Sequence, residues 1–211
     1  MNHWLETSKK NITPLSHSNN FSAAQKEWLF TGNVTYGDGE KLICELCEHP
    51  DLSSHFEIKN EINENLLQVG SSCIKRFNGI KILDEKGNLV TNTSERDKIL
   101  QRALRTQITD LSLNPLRVLW RQDETHKEAI KRIGLSIKNQ EAISPSDILF
   151  ILERMIAFQI TYNPAHYKVN LRSDLNKLEL YSLAGNSLKL VWHALSSSQK
   201  SKYKNLQKRF K

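Results

Sequence analysis

The chain is sparing in the residues that usually mark a specialised fold. It has only three cysteines in 211 residues. An odd number cannot all pair within one chain, so a closed disulfide framework is excluded. Eight glycines and five prolines exclude collagen-like and Gly/Pro-rich low-complexity proteins. The densest apolar run, Ile148 to Leu152, is bounded by Asp147 and Glu153 and is too short to span a bilayer. The stretch from Met1 to Pro14 is polar and lacks the apolar core of a signal peptide. These features predict a cytoplasmic protein with reduced thiols and no membrane partner. In a reducing compartment, clustered cysteines serve metal or redox chemistry more often than disulfides.

Several catalytic signatures are missing as well. There is no G-x-x-x-x-G-K-[ST] or G-x-G-x-x-G loop for nucleotides, no G-x-S-x-G elbow and no H-E-x-x-H. The zinc deaminase pattern is also missing. His126, His166 and His193 lie apart from any evident nucleophile and read as surface or structural histidines. The sequence therefore points away from an enzyme.

What is present is an uneven distribution of charge. The formal net charge is +7. Residues 1–90 hold 9 Lys/Arg against 12 Asp/Glu, whereas residues 91–211 hold 21 against 11. A net of −3 in front and +10 behind suggests two surfaces with different partners, the second suited to polyanions.

Patterning divides the chain into three parts: a lead-in with a short helix at 1–36, a zinc-binding α+β module at 37–92, and a basic, mainly helical domain at 93–211. In the lead-in, Phe21 to Phe30 reads as the short helix, and Gly32, Gly37 and Gly39 break the pattern after it. In the module, Lys41 to Cys44, Phe56 to Ile58 and Leu66 to Val69 read as strands, Cys73 to Phe77 as a short helix, and Ile80 to Val90 as a hairpin. From Ser94 the period becomes helical. Pro115 is expected to interrupt the first helix and Gly134 to end the second. Further helices are predicted after Ser144 and over 175–183, 188–195 and 197–210.

The chemistry concentrates in the module. Cys44-Glu45-Leu46-Cys47 is a C-x2-C turn, which aims two sulfurs at one point as tetrahedral Zn²⁺ requires. Cys73 follows a strand and a Gly-Ser-Ser turn and stands in the first turn of a helix, where the thiolate is favoured. A knuckle, a hairpin and a ligand-bearing helix make up the order of a treble clef. For the fourth ligand His55, on the first hairpin strand, is preferred to His49, which is close enough to Cys47 to strain the knuckle. Four protein ligands would close the tetrahedron, so a single structural zinc is expected.

The runs Cys44 to Cys47, His55 to Asn60 and Val69 to Phe77 resemble a short module of uncharacterised bacterial, phage and plasmid proteins, and Glu27 to Gly32 also fits that context. The resemblance covers about a quarter of the chain. It implies metal binding and a mobile-element origin, and no activity.

Candidate phosphate contacts are Lys75 and Arg76 beside Cys73, and the acid-free C-terminal run Lys200, Lys202, Lys204, Lys208, Arg209 and Lys211. In that run Tyr203, Leu206 and Phe210 share one helical face. The leading expectation is a non-enzymatic zinc protein that binds nucleic acid. The alternative is an interaction or inhibitor module, such as a phage protein aimed at a host protein, in which zinc only holds the fold.

Overall fold

A computed structural model describes residues 3–37 and 40–209. The architecture is α+β, with one small antiparallel sheet and a mostly helical remainder. The chain divides into two compact units, Met1–Gln107 and Ile108–Lys211. The division falls inside a helix, α4 (Thr93–Gln122), so the change of hydrophobic period near residue 93 marks the start of that helix.

In the first unit, helices α1 (His3–Ile12) and α2 (Phe21–Ala24) precede strands β1 (Trp28–Tyr36), β2 (Ser54–Asn60) and β3 (Leu66–Val69) and helix α3 (Ser71–Arg76). The sheet order is β1-β2-β3, antiparallel throughout, with Trp28 opposite Asn60 and Phe56 opposite Val69. Strand β2 alternates strictly, burying Ser54, Phe56, Ile58 and Asn60. A bulge separates Phe30 from Val34. Gly32 sits there at φ +89°, a conformation that side chains resist. The Glu57 carboxylate fastens the bulge, accepting from Thr31 Oγ1 and Asn33 Nδ2, each at 2.9 Å.

The expected helix over 21–30 is not formed as such. Asn20 caps a single turn by accepting from Ser22 and Ala23 N–H, and the chain is extended from Trp28. Trp28 and Phe30 are buried by strand pairing, a tertiary gain that overrides the local helical pattern. The expected strand at 41–44 reduces to one bridge between Leu42 and Leu52. The hairpin over Ile80 to Val90 closes by a Leu83–Leu89 bridge around the Asp84 turn.

In the second unit, helices α5 (Lys127–Lys138), α6 (Pro145–Ala157), α7 (Asp174–Ser182), α8 (Gly185–Ala194) and α9 (Ser197–Lys202) surround one core. Two expected breaks are absent. Helix α4 runs through Pro115 to Gln122, with buried Leu113, Leu116 and Leu119 holding both sides of the proline in the core. Helix α5 continues past Gly134 to Lys138, because Ile130, Ile133 and Ile137 are all buried on one face. Ser144 caps α6 by accepting from Asp147 N–H, and Pro145 occupies its first turn. The C-terminal run is not one helix. Helix α9, closed by a Ser196–Gln199 capping box, gives way at Tyr203 to a 3-10 turn over Lys204–Arg209. Tyr203 and Leu206 are buried, and Phe210 lies outside the described residues. No helix among the described residues is long and apolar enough to cross a membrane.

Candidate metal centre

The loop after Leu42 turns tightly on itself. Cys44 N–H donates to His49 O at 3.0 Å, and Glu48 N–H donates to Cys44 O at 2.7 Å. Glu48 and Asp51 both adopt left-handed backbone, which reverses the chain toward β2. The loop is laced to β3 in both directions. Glu45 N–H donates to Gln68 O at 3.0 Å, and the Glu45 carboxylate accepts from Gln68 N–H at 2.5 Å. On the other side, Gly70 leads from β3 into α3. A Cβ there would stand 2.9 Å from Leu52, so glycine permits the close approach that brings α3 over the loop.

This arrangement converges the three cysteines. Their Sγ atoms all lie within 4.8 Å of one another, and Cys44 and Cys73 are 3.6 Å apart. A covalent disulfide would hold the sulfurs about 2 Å apart. A tetrahedral zinc with Zn–S bonds of about 2.3 Å sets them about 3.8 Å apart. Cys44 and Cys73 are buried and Cys47 is half-buried. The cluster is close enough to bind a metal ion.

Its surroundings favour anionic sulfur. Cys44 Sγ accepts the Gly70 N–H at 3.2 Å and also the N–H groups of Cys47 and Leu46 within the turn. Trp4 Nε1 donates to Cys73 Sγ at 3.4 Å. The Cys73 hydrogen bond is the main influence that lowers the Cys44 thiol to about 5, against the opposing effect of burial, and the backbone donors add to it. The same contact, together with burial, pushes Cys73 upward. A divalent cation at the cluster would displace the thiol protons.

Neither histidine joins the cluster. His55 stands on β2 opposite Thr35, with its Nε2 at 2.8 Å from Ile43 O. His49 is exposed and enters the turn through its backbone carbonyl. The group has three protein ligands among the described residues.

The candidate phosphate contacts are distributed over both units. In the first, Lys75 pairs with Asp97 at 3.3 Å, and the Arg76 guanidinium lies 5.1 Å from the Trp4 ring centroid. In the second, Lys202, Lys204, Lys208 and Arg209 are exposed and Lys200 is half-buried. Arg209 donates to Tyr181 O at 2.6 Å. Lys211 lies outside the described residues. The units differ sharply in charge: residues 1–107 carry 13 Lys/Arg against 14 Asp/Glu, and residues 108–211 carry 17 against 9.

Two contributors to the site escaped the sequence reading. Trp4, placed in a polar lead-in, stacks on Phe77 at 4.8 Å and reaches Cys73. The repeat of Trp4, Ser8 and Ile12 along α1 was the available signal. Arg96, in the first turn of α4, is buried and donates to the carbonyls of Ile74, Phe77, Ile80 and Val90. It thereby ties the end of α3 to α4. No protein-family model, curated protein or solved structure matched the chain.

Proposed function

We propose that this chain is a non-enzymatic zinc-binding protein that binds nucleic acid through its basic second unit. One Zn²⁺ is held by Cys44, Cys47 and Cys73 and closes a treble-clef-like module, its fourth place filled by water or another ligand from outside the cluster. The observation that carries the reading is the set of three sulfurs within 4.8 Å, with backbone N–H groups already directed at Cys44. The nucleic-acid part is supported by the net +8 of residues 108–211 and by the acid-free run at their end. The resemblance of the cysteine module favours a bacterial or mobile-element origin.

Metal analysis of the purified protein tests the first part. One zinc per chain is expected, lost in Cys44→Ser and Cys73→Ser; folded wild-type protein free of metal overturns it. Binding to short DNA and RNA across a salt series tests the second. Affinity that falls steeply with salt supports the reading, and no binding at low ionic strength refutes it.

One observation favours the interaction-module alternative. Leu175, Leu178 and Tyr181 form an exposed stripe on α7, at 67%, 65% and 49% exposure. Nuclease-insensitive capture of a partner protein, abolished by Leu178→Asp, would support that alternative.

A further inference from the structure

Helices α4 and α5 enclose a cleft of about 370 Å³ within the second unit. Its floor is apolar, made by Leu113, Leu116 and Ile130. Its wall carries Trp120, which is 41% exposed, and its rim carries Arg117, Arg121 and Lys131.

Gly134 also lines this cleft, and nothing about the fold explains why it is glycine. It stands inside α5 with no left-handed φ, and a Cβ built on it meets nothing within 4 Å. A helix-interior glycine weakens the helix relative to alanine. Here that weakness gains no close packing within the chain. What the missing side chain does provide is open space in the cleft that Trp120 also lines.

The cations around this space are weakly engaged. Arg117 is 3.8 Å from Asp110 and Lys131 is 3.9 Å from Glu128, both as exposed pairs. Arg117 also donates to Asn114 Oδ1 at 2.6 Å. Arg121 forms no ion pair among the described residues. Lys127 lies 5.1 Å from the Trp120 ring centroid while pairing with Glu124 at 2.6 Å. Exposed pairs of this kind contribute little and yield readily to a phosphate.

We propose that this cleft is a binding site for single-stranded nucleic acid: a base stacks on Trp120, Gly134 keeps the rest of the cleft open to the strand, and Arg117, Arg121 and Lys131 take the flanking phosphates. An aromatic platform inside a cationic groove recognises unpaired bases, whose faces a duplex hides. The proposal rests on the nucleic-acid reading above and adds to it a place and a strand preference.

The test is a fluorescence-anisotropy titration of a labelled oligothymidylate of about 12 nucleotides, within the usual range of single-strand sites. Wild type, Trp120→Ala and Gly134→Leu are compared at low salt, with a duplex of equal length as competitor. Wild type should prefer the single strand. Trp120→Ala should weaken binding about tenfold, within the range seen for loss of one stacked base. Gly134→Leu fills the cleft and should weaken binding similarly, while its thermal unfolding midpoint stays level or rises; that separates blocked binding from misfolding. If wild type binds and both variants match it within about twofold, the site is refuted and the nucleic-acid reading stands. Tighter binding to the duplex also refutes the site. If wild type binds neither, the nucleic-acid reading itself fails.

Discussion

Replacing Arg96 with methionine should destabilise the first unit without touching a metal ligand. The guanidinium is almost fully buried, and Nη2 reaches Ile80 O at 3.0 Å, Phe77 O at 3.4 Å and Ile74 O at 3.5 Å. Nη1 reaches Val90 O at 3.5 Å. Only the first of these is short. A charged hydrogen bond of that kind contributes about 1.5–3 kcal/mol, and each carbonyl left buried without a donor costs roughly 1–3 kcal/mol. Phe77 O keeps the Ile80 N–H, so its loss is small. Against this, the variant no longer buries a guanidinium, whose desolvation already lowers the Arg96 pKa. The net expectation is a loss of about 2–4 kcal/mol. In urea this displaces the first unit's midpoint by roughly 1–4 M, given slopes of about 1–2 kcal/mol/M for a unit of this size. Zinc affinity should also fall, by about tenfold, because Arg96 holds the far end of the helix that carries Cys73. Arg96→Lys should recover only part of the loss, since an ammonium cannot span the carbonyls a fork reaches. A change below about 1 kcal/mol, typical of a surface substitution, would refute the argument.

Three other outcomes follow from buried polar groups and from α5. Asp123 is buried and bonded to Arg154 Nε at 2.7 Å and to His126 Nδ1 at 2.9 Å, and Arg154→Leu should cost about 3–5 kcal/mol in urea unfolding. Asp123→Leu combined with Arg154→Leu should restore most of that; equal loss in the single and double variants would refute the pairing. Glu27 is buried and accepts from His17 N–H at 2.7 Å, Ser18 N–H at 2.8 Å and Asn60 Nδ2 at 2.9 Å. Burial raises its pKa, but these donors outweigh burial and hold it below the ordinary 4.5. Its stabilisation is therefore fully present above the unfolded value and is lost as pH falls through the lower folded one. Glu27→Gln should be less stable by about 1–3 kcal/mol at pH 7, with the gap narrowing toward pH 3; a gap independent of pH would contradict this. Gly134→Ala should raise stability by about 0.5–1 kcal/mol, read as a higher thermal midpoint, because nothing opposes the added methyl group.

Legibility of the chain followed the range of the forces involved. Strands β2 and β3 were readable because alternation along Ser54 to Asn60 reports a half-buried strand directly. Helix α6 was readable from Ser144 and Pro145, whose capping chemistry acts within one turn. Strand β1 was not. Trp28 and Phe30 fit a helical face as well as a strand, and only pairing with β2 decides between them. Pro115 and Gly134 are genuine local breakers, and core leucines and isoleucines on either side overrule them.

The same division holds at the metal centre. Spacing alone determined that Cys44 and Cys47 face one point, because a two-residue turn leaves the chain little choice. That Cys73 joins them was suggested by its place after a strand and a turn, but its 3.6 Å approach to Cys44 depends on Gly70 passing Leu52 and on β3 pairing with the loop. The exclusion of His55 from the cluster is wholly tertiary, since its imidazole meets the Ile43 carbonyl. Composition determined that positive charge gathers late in the chain. Only the packing of α4 against α5 sets part of that charge around an exposed tryptophan and an unfilled glycine, because a surface is made by elements that meet in space.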